Sequence, residues 1–275
     1  SRTCKKSTLA CSPRSGYSNR MIAKSSEEIA ALRESGRRLA VYLKELADLV
    51  APGVTALALE TRALELIASQ GDEPAFKGHK DRKGDKPYPS SLCVSVNDVI
   101  VHSPGSDNGA VIAEGDVVKL DFGLKHQGFY TDHAVTIIAG TGDPEDEKMI
   151  RLAHEALDAG IAAARVGNTT GDIGYAVEKI ARQNNLGFPR NLAGHGVGKE
   201  VHEEPHVPNF GAPGSGEKLV EGLVIAIEPM FARGSGDLFV DKDGYSYRTK
   251  DKSRTAHVEH TVLVTKDGPE ILTKA

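Results

Sequence analysis

Asp121, Asp132, Glu228 and Glu259 are carboxylates set into otherwise apolar, β-branched stretches, and they come in two matching pairs. Glu114-Gly115-Asp116-Val117-Val118-Lys119-Leu120-Asp121 aligns with Glu221-Gly222-Leu223-Val224-Ile225-Ala226-Ile227-Glu228. Each segment opens on Glu-Gly, runs through apolar residues and ends on an acid at the same place. Each is followed by a second apolar run carrying a further acid, Asp132 in the first half and Glu259 in the second. A carboxylate in a buried strand is costly unless it is paired or ligated, and several close together repel unless protons or cations intervene. Holding divalent cations is the chemistry this pattern serves. His195, between Gly194 and Gly196, adds an imidazole where the flanking backbone can approach a ligand closely. Four carboxylates and one imidazole suit a pair of hard or borderline ions, and two-ion sites activate a water for hydrolysis.

The hairpin over 117–138 sharpens the expectation. With His126 and Gln127 at the turn centre, Asp121 lies directly opposite Asp132, their Cα atoms about 4.5–5.5 Å apart. Three look-alike motifs carry less. His202-Glu203-Glu204-Pro205-His206 matches a zincin pattern that works only on a helix, and Pro205 and Pro208 oppose one. Gly194 to Lys199 is one residue short of a phosphate loop, with Glu200 where Ser or Thr belongs. Gly214-Ser215-Gly216 has no strand entering it and is no nucleophile elbow.

The elements that position these residues also repeat. Helical spacing predicts helices over 27–48 and Leu57–Ala68, separated by a Pro-Gly-Val-Thr turn, and again over Glu145–Ala164 and Ile173–Gln183, separated by Gly-Asn-Thr. Strands are expected at Leu92–Val101, Val117–Leu124, Phe129–Ile138, Leu223–Phe231 and His257–Val264, with Gly/Pro-rich loops at 103–109 and 211–216. The fold class is therefore α+β, with two duplicated halves pooling antiparallel strands in the middle and helices outside. Of the remaining histidines, His126 reads as a turn residue and His133 as facing away from Asp132. His154 reads as helical, His79 as part of a charged loop, and His206, His257 and His260 as packing or supporting residues.

Over about residues 21–274 the chain resembles the type I methionine aminopeptidases of the pita-bread metallopeptidase superfamily. The matching segments are Cys93-Val94-Ser95-Val96-Asn97, His102, Leu120-Asp121-Phe122-Gly123, Tyr130-Thr131-Asp132, Gly194-His195-Gly196-Val197-Gly198, His202-Glu203-Glu204-Pro205, Glu228-Pro229-Met230 and Glu259-His260-Thr261. The resemblance implies a pita-bread fold and two divalent ions, with Co, Mn, Fe and Zn all compatible with such donors. It implies that Asp121 chelates one ion, that Asp132 and Glu259 bridge both, and that His195 and Glu228 bind the second. It further implies that His102 contacts the substrate near the scissile amide or its free amine, that His202 stabilises the oxyanion, and that Glu228 shuttles a proton. Tyr88, Cys93 and Tyr245 match pocket-lining positions, although Cys93 also reads as a small core residue. The implied reaction is removal of an N-terminal methionine from nascent chains or peptides. The other readings are an Xaa-Pro aminopeptidase or dipeptidase of the same fold, and a non-catalytic pita-bread binding module. The short interval from His202 to Glu228 resembles type I. The chain departs from the family at His79–Pro87, which is longer and more charged than the usual aromatic stretch, and at Ser103-Pro104-Gly105.

Composition bounds the rest. The chain has 275 residues, and no apolar run is long enough to cross a bilayer. Residues 1–20 hold five basic residues and no acid, and read as an upstream or expression remnant, or as an organelle transit peptide. Residues 21–275 are read as one pseudo-two-fold catalytic domain. They hold 29 basic against 38 acidic residues, a formal charge of −9, which opposes direct nucleic-acid binding. Cys93 is the one cysteine of this region, so no disulfide framework is expected and a reducing compartment fits. Cys4 and Cys11 lack the spacing of a zinc finger. The expected setting is a cytoplasmic monomer (organellar if the tail is a transit peptide) meeting chain ends, with the ribosome as a further partner and no membrane.

Overall fold

The computed structural model describes residues 20–80, 84–106 and 109–275. The first half begins with α1 (Ser26–Asp48), opened by a Ser25–Glu28 capping box, and α2 (Ala56–Ser69), capped by Thr55. Strands β1 (Glu73–Pro74), β2 (Leu92–Val96), β3 (Val99–Val101), β4 (Val117–His126) and β5 (Phe129–Ile138) follow. The second half repeats the plan with α3 (Pro144–Ala163), whose cap is Asp143 with Pro at N1, and α4 (Thr170–Gln183). Then come β6 (Ala193–Gly196), β7 (Glu203–Pro208), β8 (Val224–Ile227), β9 (Met230–Ala232), β10 (Leu238–Val240) and β11 (Tyr247–Thr249). The chain closes with β12 (Thr255–His257), β13 (Glu259–Thr265) and β14 (Gly268–Ile271).

The duplication extends to individual hydrogen bonds. Gly53 (φ 90°) and Gly167 (φ 91°) occupy equivalent left-handed turns between the helices of each pair. Gly53 donates to Ile112 O at 2.8 Å and Gly167 to Leu219 O at 3.0 Å. Gly115 (φ 78°) donates to Ala139 O at 2.7 Å, and Gly222 (φ 84°) to Val264 O at 2.8 Å. Each half has its own apolar core. Leu39, Leu43, Leu59 and Leu66 of α1 and α2 pack on Leu92, Leu120 and Phe122, while Ala153, Leu157, Ile173 and Val177 of α3 and α4 pack on Ile225, Ile227 and Val262.

Both halves feed one nine-stranded antiparallel sheet, in the order β1-β4-β5-β13-β8-β6-β7, with β2 also pairing β4 and β14 also pairing β13. The halves meet where β13 pairs β5, through Glu259↔Ala134 and His260↔His133. The apparent two-fold relates β4 to β8 and β5 to β13.

Three strands expected to be continuous are broken. Leu92–Val101 divides at Asn97, which takes φ 54°. Leu223–Phe231 divides at Glu228-Pro229, where proline has no N–H to give the ladder. His257–Val264 divides at Val258. The hairpin turn also differs. Gln127 and Gly128 both have positive φ (50° and 82°), so they form the two-residue loop, and His126 pairs with Phe129. Asp121 therefore pairs with Ala134 and Asp132 with Gly123. The two acids are diagonal neighbours, not direct partners, but the shift of two keeps them on one face. His126 is not in the turn. It is buried at the end of β4, with Nδ1 2.7 Å from Asp72 Oδ1.

Lys119 is buried on β4, 1% exposed, and its ammonium donates to the carbonyls of Asn97 (2.8 Å) and Val117 (3.3 Å). Burial pushes its pKa well below the ordinary lysine value. Among the described residues, no helix is long and apolar enough to cross a membrane.

Candidate metal centre

Five neighbouring strands of the sheet deliver one donor each. Asp121 comes from β4, Asp132 from β5, Glu259 from the first position of β13, Glu228 from the residue after β8, and His195 from β6. All five side chains are at least nine-tenths buried, and all line one cavity of about 380 Å³. The backbone around them is fixed by neighbours. Asp132 N–H donates to Thr261 Oγ1, whose hydroxyl donates back to Asp132 O, both at 2.8 Å. Asn209 Nδ2 donates to Glu228 O at 2.9 Å. At 194 and 196 only glycine fits, because an added Cβ would collide with the carbonyl oxygens of Ala226 and Glu204.

His195 Nδ1 donates to Gly196 O at 2.9 Å, which leaves the lone pair on Nε2. That atom faces Glu228 Oε1 at 3.7 Å and Asp132 Oδ2 at 3.8 Å. Donor atoms of Asp132, His195 and Glu259 lie within 4.8 Å of one another, as do those of Glu228, His257 and Glu259. Asp121 Oδ1, Glu259 Oε1 and both nitrogens of His257 are buried with no hydrogen-bond partner among the described residues. Polar atoms so placed are normally satisfied, and oxygen donors with imidazole nitrogen fit divalent cations.

The electrostatics agree. Burial, reinforced by Glu228, raises Asp121 to about 6, and burial raises Glu228 to about 8. Burial together with the other acids pushes Asp132 and Glu259 well above the carboxylate range. A carboxylate whose pKa is raised on folding holds its proton better in the native state. Its contribution to stability is present below the unfolded pKa and is lost as pH rises through the folded one. Metal-stripped protein is therefore expected to lose thermal stability from the ordinary carboxylate range up to about 8, and saturating metal to reverse that slope. Thermal melts in chelator and in excess Mn²⁺ across this range check it; a chelated protein whose midpoint rises through the window would contradict it.

The remaining candidate residues surround the carboxylates. His202 lies edge-on to His195, with ring centroids 4.5 Å apart. His102, held at φ 63°, lies edge-on to Tyr247 at 5.5 Å. Tyr88 donates to Cys93 Sγ at 3.0 Å and meets Tyr245 edge-on at 5.6 Å, while the Tyr245 hydroxyl donates to Pro87 O. All of these line the cavity, so Cys93 is at once buried and part of its wall. Of the charged stretch 79–87, His79, Lys80, Asp85 and Lys86 also line it. Asp81, Arg82 and Lys83 lie outside the described residues, as do Cys4, Cys11 and the tail through residue 19.

Two histidines read as bland from sequence stand at the site. His79 packs edge-on to His202 at 5.0 Å, a loop placement that no periodicity signals. His257 points at the carboxylates; its spacing of two from Glu259 was the available signal, since alternate residues of an extended chain share a face. His133 and His260 stack on each other at 4.5 Å on the other side of the sheet. The His202–His206 stretch ends in strand β7, not in a helix.

A family model for metallopeptidase family M24 matches residues 30–266. The chain belongs to that family. Within M24 its relatives include methionine aminopeptidases from Aquifex aeolicus, 42% identical with 91% of this chain and 97% of the relative covered, and from Clostridium perfringens, 40% identical with 92% and 98% covered. The crystal structure of a Thermotoga maritima methionine aminopeptidase superposes with a TM-score of 0.87 at 38% identity, covering 93% of this chain and all of that one. A prolidase from Pyrococcus furiosus shares the fold at a TM-score of 0.74 and 23% identity, with this chain spanning 66% of its length. The duplicated α+β sheet is thus the pita-bread fold of M24, and the M24 chain is metal-dependent.

Proposed function

We propose that this chain uses two divalent ions to hydrolyse the bond after an N-terminal methionine, with residues 21–275 acting as one catalytic unit. The observation that carries the reading is the buried acid frame, with one donor from or directly after each of five adjacent strands and two of its carboxylate oxygens unpartnered among the described residues. Relatives named methionine aminopeptidase at 35–42% identity over more than nine-tenths of the chain support the substrate. In this reading Asp121 would hold one ion, His195 and Glu228 would hold the other, and Asp132 and Glu259 would serve both. Bound ions supply Lewis acidity and an activated water.

The chain's own residues do the rest. Glu228 accepts the proton of the attacking water and passes it towards the departing amine. His202 donates to the oxyanion as the carbonyl becomes tetrahedral. His102 orients the scissile amide or the free amine. Tyr88, Cys93 and Tyr245 form the wall that receives the leading side chain, and the aromatic faces suit a flexible thioether. Mn, Fe, Co and Zn all fit these donors. The substrates are nascent chains and peptides at their free ends, met by a cytoplasmic monomer as they leave the ribosome.

A peptide panel varied at the first two residues, run with a metal titration, tests this. Met-Ala-Ser is expected to be cleaved and Ala-Pro-Ala left intact, with activity rising to a plateau at two ions per chain. Preference for Ala-Pro-Ala would reassign the chain to proline-directed hydrolysis. No cleavage and no bound ion in added Co²⁺ or Mn²⁺ would make it a binding module.

A further inference from the structure

His257 is an imidazole that the mechanism above does not use. It ends β12, is 1% exposed, and is absent from the cavity wall, so it approaches the acid frame from behind. Its backbone is clamped by one side chain: His257 N–H donates to Thr136 Oγ1 at 3.0 Å, and Thr136 Oγ1 donates to His257 O at 2.6 Å. Neither ring nitrogen has a hydrogen-bond partner among the described residues. Burying two unsatisfied nitrogens is unfavourable, and their surroundings indicate what satisfies one of them. Nε2 stands 3.3 Å from Glu228 Oε2 and 3.7 Å from Glu259 Oε2. Donors about 2.1 Å from a shared ion lie roughly 3.0–3.4 Å apart in octahedral or tetrahedral arrangements, so the 3.3 Å spacing to Glu228 suits neighbours in one coordination sphere, with Glu259 at 3.7 Å just beyond that range. Glu228 also sits between two imidazoles, with Oε1 towards His195 and Oε2 towards His257.

We infer that His257 is a sixth protein ligand of the metal centre, giving it a second nitrogen donor. The inference rests on the two-ion reading above. Five donors leave one imidazole for two ions; His257 supplies another at the far side of Glu228. The two histidines are not equivalent. His195 Nδ1 is supported by a main-chain carbonyl, whereas His257 Nδ1 has no such partner among the described residues. An outer partner of that kind strengthens a histidine ligand, so His257 is the weaker of the pair.

Pulsed EPR of Mn²⁺-loaded protein detects directly coordinated imidazole nitrogen, and titration calorimetry separates the binding steps. Wild type is expected to show imidazole coupling that survives in part in His195→Asn. His257→Gln is expected to weaken one of two binding steps by at least roughly tenfold, the scale of losing even an outer partner. Coupling abolished by His195→Asn, together with unchanged binding in His257→Gln, would overturn the assignment while leaving a five-ligand two-ion centre standing. A wild type that binds no ion would overturn both. If the glutamine variant does not fold, the coupling left in His195→Asn decides alone, its presence supporting His257 and its absence excluding it.

Discussion

Asp132→Asn is expected to abolish turnover and strip the centre of metal while the fold survives. The substitution keeps the side chain's shape and removes its charge. The backbone bonds that hold position 132 to Thr261 do not involve the carboxylate, and the asparagine oxygen can still accept the His133 N–H that Asp132 Oδ1 accepts at 3.0 Å. Without metal, four buried acids repel, so deleting one charge relieves the frame. With metal, a carboxylate that would serve both ions on the proposed reading is lost, which is expected to cost more than the roughly 10–100-fold typical of losing an outer-shell partner. Metal analysis, circular dichroism and peptide hydrolysis on the same preparation check the three parts. Wild-type turnover in the variant would remove Asp132 from the bridge.

His202→Ala has the next largest expected effect, and it should separate binding from catalysis. His202 follows the buried Val201 and lines the cavity with its ring edge-on to His195. If its role is to donate to the oxyanion and not to hold an ion, metal content should stay at the wild-type level. Loss of one preorganised oxyanion donor lowers turnover by about 10²–10³-fold, with the loss in kcat and little change in KM. Kinetics identical to wild type would leave His202 without a role in the oxyanion. Loss of metal would make it a ligand instead.

The parts of this molecule legible in its sequence were those with a period or a repeat. Apolar spacing placed all four helices to within a few residues at either end, because amphipathic faces over two separate cores leave a clear pattern. The repeat of Glu-Gly and a terminal acid locates Asp121 and Glu228 as equivalents: Asp121 lies on β4 and Glu228 directly follows β8, the related strand. What local patterns do not encode was misread. The hairpin centre moved by one residue because Gln127, not His126, takes the left-handed conformation beside Gly128. The face survived because alternation depends on parity, not on the turn. The breaks at Asn97, Glu228-Pro229 and Val258 were hidden inside apolar runs. His126 ends β4 rather than sitting in the turn because its partner, Asp72, lies 54 positions earlier, beyond any local pattern. His79 and His257 carry little local signal because most of their neighbours at the site come from distant strands and loops.

The acid frame is two-fold in plan, but the cavity in front of it is not. Its aromatic wall comes from Phe76, Tyr88 and Tyr245 on connections and Tyr247 on β11, all outside the repeated strand pairs that carry the carboxylates. Chemistry and choice of substrate therefore sit on separable parts of the polypeptide. A change in that wall would alter which substrate is accepted while leaving the acid frame beneath it in place.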